Sequence, residues 1–227
     1  LAMSIFEAIR VKMRINFMSD SNMNYKCYGH FYSSGELNFR DVLLITDLDD
    51  ISDDTQIDLL MVMMNPGSSE PKDQNVKATI FSKSCVLTKP DNTQSQIMKV
   101  MADNNFRTAI VINLSDVRES KSSLFTRKLK GLSFGSFGDR HSIFSENRCE
   151  ELNQILEKCK TSSVVFASGV NYKLRFLTSR AVSKFDAYRI AGNKSKKGLF
   201  YHPLPRSKEK QREWVRDINE QLKRLTS

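Results

Sequence analysis

Apolar residues along this chain gather into short continuous runs instead of alternating with polar residues. Four runs are apolar at nearly every position and cover residues 42–46, 58–64, 108–113 and 163–168. Strands have this pattern when helices cover both of their faces, because neither face then meets water. The runs therefore predict largely parallel strands in the middle of the molecule.

Apolar residues recur at helical spacing in three segments that lie between or after these runs. The expected N-caps are Asn92, Ser145 and Ser207. The three apolar stripes are Ile97, Val100 and Met101; Cys149, Leu152, Ile155, Leu156 and Cys159; and Trp214, Ile218, Leu222 and Leu225. The last stripe predicts a C-terminal helix over 207–227.

The alternation of strands and helices predicts an α/β fold. We expect a three-layer sandwich with a central, mostly parallel sheet of four or five strands. The 227 residues suffice for one sizeable core. The sequence therefore predicts a single α/β domain over residues 1–227.

Composition narrows the classes of protein that need to be considered. No apolar run approaches the roughly 20 residues that cross a bilayer, and no basic and apolar leader opens the chain. We therefore expect a cytoplasmic protein that has no membrane segment and acts as a monomer. Four scattered cysteines and three histidines offer no metal-ligand spacing, so we expect no metal and no cofactor.

Positive charge dominates the second half of the chain. The net charge is +9, and basic residues concentrate in 126–131, 193–198 and 205–216. Such an excess suits a polyanionic partner, and DNA is the simplest one, although a basic solvated surface has the same composition. The candidate phosphate contacts are Arg118, Lys128, Lys196 and Arg206.

Polar or glycine residues stand where several predicted strands end. Asn65, Pro66 and Gly67 follow the second run, Asn113 closes the third, and Gly169 follows the fourth. His202 lies in the loop before the last helix. Ligands of open α/β sheets bind beyond the carboxyl ends of the strands. These residues are therefore expected to converge on one rim.

The ordered segments "MNPGSS", "VINLSDVRES", "VVFASG" and "YHPLP" resemble domain family 1643, whose function is unknown, over residues 25–210. The same set is similar to the uracil-DNA glycosylase superfamily, in particular its mismatch-specific and thymine-DNA branch. The resemblance implies a DNA glycosylase that hydrolyses the N-glycosidic bond of a flipped base.

The resemblance also implies roles for individual residues. Asn65 would position the attacking water, and His202 would stabilise charge on the departing base. Asn113 would bind the polar edge of that base. The remaining positions would contact the DNA or let it approach closely. Gly67 would lie beside the sugar, Ser68 at a phosphate and Gly169 at the strand end. Leu204 would act as a wedge in the duplex.

This chain departs from the superfamily pattern at several points. Asn65 stands where the fastest uracil enzymes have an aspartate, which implies slow hydrolysis or another substrate. Leu204 stands where a serine is usual, which weakens one expected phosphate contact. The cysteine pattern of the iron–sulfur branches is missing, so no cluster is implied.

Two other functions agree with the same residues. One is an enzyme acting on a free nucleoside or nucleotide, and the other is a nucleic-acid-binding module without catalysis. The sequence does not name the base, which can be uracil, mismatched thymine or a modified base such as a bacteriophage makes.

Overall fold

The computed structural model describes residues 24–134 and 137–226. These residues form one eight-stranded sheet with the order β4-β5-β1-β2-β6-β3-β7-β8. The strands are β1 (Lys26–Ser34), β2 (Leu37–Thr46), β3 (Leu59–Met63), β4 (Pro71–Ile80), β5 (Lys83–Thr88), β6 (Thr108–Asn113), β7 (Ser163–Phe166) and β8 (Arg189–Ala191).

The expectation of a mostly parallel sheet of four or five strands was wrong. The described sheet is mixed: four of its pairings are antiparallel and three are parallel. The parallel pairings join β6, β3, β7 and β8, whereas β4, β5, β1 and β2 form an antiparallel half. The apolar runs missed three of these strands, because β4 exposes most of its side chains, β1 mixes polar with aromatic residues, and β5 has only three consecutive apolar residues.

Helices cover both faces of the sheet. They are α1 (Asn92–Asp103), α2 (Ser122–Phe134), α3 (Cys149–Glu157), α4 (Arg175–Ser183) and α5 (Lys208–Thr226). Side chains of α1 and α5 pack on one face, where Ile97 and Trp214 are buried against Met61. The other three helices cover the opposite face, where Phe125 and Leu152 join its core.

The helix starts differ from two of the three expected caps. Asp91, not Asn92, caps α1, since its side chain accepts from the backbone N–H of Gln94 while the Gln94 side chain accepts from the Asp91 N–H. Ser145 precedes a 3₁₀ turn, so α3 begins only at Cys149, which is exposed and not part of the apolar stripe. At α5, the Ser207 hydroxyl accepts a hydrogen bond of 3.5 Å from the Lys210 N–H.

A β-bulge in β2 decides which of its side chains reach which face. Phe31 pairs with Arg40 and His30 pairs with Val42, so Asp41 has no opposite residue in β1. One extra residue shifts the alternation of side chains by one position. Arg40 therefore lies on the same side as Leu43, three positions further on, and both line one cavity.

Asp41 contributes to a buried cluster of charges on the other side of β2. Its carboxylate accepts from Lys83 Nζ at 2.5 Å, and Lys83 also pairs with Glu151 at 2.8 Å. Arg148 bridges Glu151 and the fully buried Asp116. Burial opposes ionisation of Asp41, but His30 and Lys83 outweigh it and hold the pKa of Asp41 at about 2. The cluster thus anchors the extra residue of the bulge.

Candidate functional site

A cavity of about 460 Å³ opens beyond the carboxyl ends of β3, β6 and β7. The loops after these strands form part of its wall, and the start of α1 and the segment 202–204 complete it. Leu43, Met63, Ile97 and Val111 give it an apolar side. Its volume lies within the range of about 300–1,000 Å³ that is usual for small-molecule sites.

Seven residues singled out in the sequence line this one cavity: Asn65, Gly67, Ser68, Asn113, Gly169, His202 and Leu204. They come from four separate loops or strand ends. The structure therefore brings together the residues whose convergence the strand-end pattern predicts. Arg118, Lys128, Lys196 and Arg206 do not line the cavity.

The side chain of Asn65 is held in one orientation. Its Nδ2 donates to the carbonyl oxygens of Glu119 at 2.7 Å and of Val117 at 3.2 Å. No hydrogen bond from the described residues reaches Oδ1. The amide is thus fixed to the loop after β6 by its donor end, and its acceptor end is available to a water or a ligand.

Asn113 is the last residue of β6 and is fully buried. Within the described part of the chain, neither its Nδ2 nor its Oδ1 has a hydrogen-bond partner. A buried polar group without a partner costs about 1–3 kcal/mol, so native structures keep few of them. Because this amide lines the cavity, its natural partner is a ligand that offers both a donor and an acceptor.

His202 presents a neutral ring to the cavity. Its Nδ1 accepts a hydrogen bond of 3.2 Å from the backbone N–H of Leu204. Burial lowers the pKa of His202, and the nearby carboxylate of Asp91 opposes that change only in part. The proton of the neutral ring therefore sits on Nε2, which is a hydrogen-bond donor.

Helix α5 fixes the loop that carries His202. Trp214 Nε1 donates to the carbonyl of Tyr201 at 3.2 Å, and Gln211 Nε2 donates to the carbonyl of Pro205 at 2.7 Å. One of the two bonded carbonyls precedes His202 in the chain and the other follows it. The apolar stripe of α5 thus serves the site indirectly, because it anchors the helix to which the loop is tied.

Two glycines shape the rim of the cavity. Gly67 has φ +65° and Gly169 has φ +83°. Residues with a side chain adopt these backbone conformations only with strain. An added Cβ would meet nothing within 4 Å at either position, so the glycines are required for their backbone conformation. Ser68 beside Gly67 is exposed, and Leu204 is half-buried at the opposite loop.

The cavity also contains charged residues that the sequence did not single out. Arg40, Asp91 and Glu119 all contribute to its lining. Burial lowers the pKa of Arg40 to about 10, with Asp91 opposing the shift, so the guanidinium is charged at neutral pH. The available signal was a charged pair, Arg40 and Asp41, directly before the apolar run of β2.

The four predicted phosphate contacts occupy different settings outside the cavity lining. Arg118 lies over the ring of Phe31, with its Cζ 5.2 Å from the centroid. Lys128 pairs with Glu119 at 2.8 Å, so its charge is already compensated. Lys196 and Arg206 are exposed in the loops before and after His202.

An exposed group of aromatic and basic residues, which we call the aromatic rim, adjoins the cavity: Tyr172, Arg175, Phe176 and Lys197. Tyr172 is 52% exposed and Phe176 is 71% exposed. Arg175 lies 4.6 Å from the ring centroid of Tyr172 and 4.1 Å from that of Phe176, and Lys197 lies 5.2 Å from that of Tyr172. The preceding residues 170 and 171 line the cavity, so the rim continues its wall.

Neither a metal-binding cluster nor a membrane-spanning helix occurs among the described residues. No group of three or more His, Cys, Asp or Glu side chains is arranged to hold a metal ion there. No helix in the described ranges has the length and apolar character that spanning a membrane requires. Comparisons with family models, curated proteins and solved structures return no match.

Proposed function

We propose that this protein is a DNA glycosylase-like enzyme that hydrolyses the N-glycosidic bond of a base turned out of DNA into the cavity. The observation that carries the proposal is the joint presence of Asn65, Asn113 and His202 around one cavity, each with a polar atom directed to no described partner. Asn113 offers a donor and an acceptor, as recognition of a base edge requires.

The reaction needs little proton chemistry from the protein. The bond between C1′ and the base nitrogen breaks, and its electron pair leaves with the base. A water oxygen bonds to C1′ and loses a proton to solvent, and the departing base takes up a proton from solvent, which gives an abasic site and a neutral free base. Because the sugar is nearly a cation when water attacks, positioning the water is the main requirement. The fixed Oδ1 of Asn65 supplies an acceptor for that water.

Negative charge gathers on the base as the bond breaks. A donor that already points to this charge lowers the barrier, since no reorganisation is needed at the moment of reaction. His202 provides the Nε2–H of a neutral imidazole, with Nδ1 engaged by the Leu204 N–H. The neutral ring acts as a hydrogen-bond donor to the departing base.

The aromatic rim favours a polynucleotide over a free nucleotide. Exposed aromatic rings beside cationic side chains are the arrangement on which unstacked bases pack in single-stranded nucleic acid. Tyr172 and Phe176, with Arg175 and Lys197, supply that arrangement next to the cavity. A base entering the cavity would leave its neighbours unstacked, and the rim could receive one of them.

A nicking assay tests the proposed activity. Oligonucleotides that carry uracil, mismatched thymine, or hydroxymethylated or glycosylated cytosine are incubated with the protein and then treated with alkali. Strand breakage at one modified position is the expected result. Asn65→Ala and His202→Ala should each lower the single-turnover rate by about 10²–10³, while DNA affinity is retained.

The same assay separates the competing functions. Activity on free nucleosides or nucleotides without polynucleotide, together with binding that is indifferent to salt, would identify a small-molecule enzyme. DNA affinity that survives in both variants, with no breakage of any substrate by the parent, would identify a binding module. For DNA binding, log affinity should fall against log salt with a slope near −0.9 per phosphate contact.

A further inference from the structure

We propose that Arg40 forms an anion subsite inside the cavity, which takes a carboxylate or phosphate group of the ligand. The proposal deepens the proposed function, because it names the class of group that the recognised base or its nucleotide carries. It rests on two observations. Arg40 lines the cavity, and two of its side-chain nitrogens have no hydrogen-bond partner among the described residues.

Arg40 is buried without the partners that a buried arginine normally has. Arg40 is only 3% exposed, and it lines the cavity. Nε and Nη1 are enclosed and have no partner among the described residues. A guanidinium carries five donors in a planar fork that matches two oxygens of one anionic group. These donors without partners therefore need oxygen acceptors inside the cavity.

The nearby carboxylates do not meet this need. Asp91 lines the same cavity and affects Arg40 electrostatically, but it forms no ion pair with Arg40 and its Oδ1 accepts from Gln94 N–H at 2.9 Å. Asp116 forms a hydrogen bond with Arg40 only through its backbone carbonyl, which accepts from the Arg40 N–H at 2.9 Å, although its carboxylate also raises the pKa of Arg40. The carboxylate of Asp116 is bound by Arg148. The positive charge in the cavity is thus left for a ligand.

The fold maintains Arg40 in this position. A Cβ on Gly29 would lie 3.2 Å from Arg40 Cδ and 2.9 Å from the ring of Phe31, so the absence of a side chain at Gly29 leaves room for the arginine stem. The bulge at Asp41 brings Arg40 to the face of Leu43. Arg118 adds a second positive charge nearby, since it lowers the pKa of Arg40. The space at Gly29 and the bulge thus keep a cation at a place where both burial and the charge of Arg118 disfavour one.

Asn113 and Arg40 together define the chemistry of the ligand. Asn113 can form hydrogen bonds with one donor and one acceptor of the ligand, as the edge of a ring provides. Arg40 can donate to a pair of ligand oxygens. Two sources supply this combination: a base with a carboxylate substituent, or a base with the phosphate of its own nucleotide. The shared chemistry is an anionic oxygen group within reach of a hydrogen-bonding ring.

Calorimetric binding with four probes tests the subsite: 5-carboxyuracil, uracil, uridine and uridine 5′-monophosphate. Parent protein should bind an anionic probe more tightly than its neutral counterpart. Arg40→Gln should weaken the preferred anionic probe by about 10- to 100-fold, the value of hydrogen bonds to a charged group, and leave the neutral probes unchanged. The carboxylated base and the nucleotide distinguish the two sources.

Arg107→Gln is the matched control, because it removes a positive charge just before β6, at the end of that strand opposite to Asn113 and the cavity. It should leave the preference for anionic probes intact. Arg40→Met, which removes the charge while keeping an unbranched stem, should lose the same preference and melt at or above the parent temperature. A melting scan of each variant excludes loss of folding as the cause.

The two proposals fail separately. If Arg40→Gln binds anionic probes as the parent does, or if the parent does not prefer them, the subsite is refuted even when nicking is observed. If the anion preference depends on Arg40 but no oligonucleotide is nicked, the subsite stands and the glycosylase activity falls.

Discussion

The side-chain amide of Asn65 donates a 2.7 Å hydrogen bond to the backbone carbonyl of Glu119. A second bond of 3.2 Å joins the same nitrogen to the carbonyl of Val117. An aspartate at this position would place an oxygen against two carbonyl oxygens. The structure thus gives a local reason for an asparagine, and not an aspartate, at position 65.

We expect Asn65→Asp to lower the free energy of unfolding by about 1–3 kcal/mol, because two backbone acceptors lose their donor. The substitution should not raise the rate of base release. Repulsion by the two backbone carbonyl oxygens will either turn the new carboxylate away or keep it protonated. Urea denaturation and single-turnover nicking measure the two effects. A stable and faster Asn65→Asp enzyme would show that these hydrogen bonds do not decide the choice of residue.

Asn113 should reveal a conflict between stability and binding. Asn113→Leu removes a buried amide without partners and should raise the free energy of unfolding by about 1–3 kcal/mol. The same change should abolish recognition of the base. Asn219→Leu is the control, because Asn219 is also buried but bonds to Asp103 at 2.6 Å and to Asn104 at 2.8 Å. That variant should be destabilised, and equal shifts in the two variants would contradict the assignment.

His202 should give the activity an acid limb below pH 6.5. Its pKa is lowered from 6.5 in the fold, so the unfolded chain binds this proton more readily. As pH falls below 6.5, the His202 contribution to stability is lost, and protonation ends acceptance from the Leu204 N–H. A pH–rate profile should show the limb in the parent and lack it in His202→Gln.

Asp91 provides a second variant for the same measurement. Its carboxylate raises the pKa of His202, so Asp91→Asn should move the acid limb to still lower pH. Asparagine is a good N-cap, so α1 should keep its start. A limb that does not move, or moves upward, would separate the profile from His202.

The aromatic rim should bind unstacked bases. Stacking of a base on an aromatic side chain contributes about 1–3 kcal/mol, so Phe176→Ser or Tyr172→Ser should weaken single-stranded DNA binding by about tenfold or more. Neither change should lower the melting temperature, because both rings are exposed. Val76→Ser on β4, at the other edge of the sheet, is the matched control and should bind as the parent does.

The sequence predicted the strands that carry the site better than it predicted the sheet. The apolar runs at 108–113 and 163–168 contain β6 and β7, because strands buried on both faces need apolar residues at every position. Strands β1, β4, β5 and β8 were missed; β4 faces solvent along most of its length, and β8, which pairs parallel with β7, has only three residues. Pairing direction depends on contacts far apart in the chain, which a run of letters does not record.

The polar cavity residues were predictable where they follow an apolar run. Asn65, Asn113 and Gly169 stand at or shortly after the ends of buried strands, and the cavity lies at those ends. Arg40 was not predictable in this way, because it precedes the apolar part of β2 and its direction depends on a bulge. The four surface basic residues were chosen by charge alone, and the pairing of Lys128 with Glu119 had no sequence signal.

The bulge in β2 makes Asp41 a residue whose loss would not turn its neighbours to the other face of the sheet. Asp41 and Val42 lie on the same side, so a chain without Asp41 would keep Arg40 on the side of Leu43 and Phe39 on the side of Val42. The cavity would retain its cation, whereas Lys83 and His30 would lose the carboxylate that joins them. A relative with one residue fewer here would have the same cavity lining and a different charge cluster on the opposite face. Loss of the bulge residue is thus a route by which one face of the sheet can change while the ligand preference of the other is preserved.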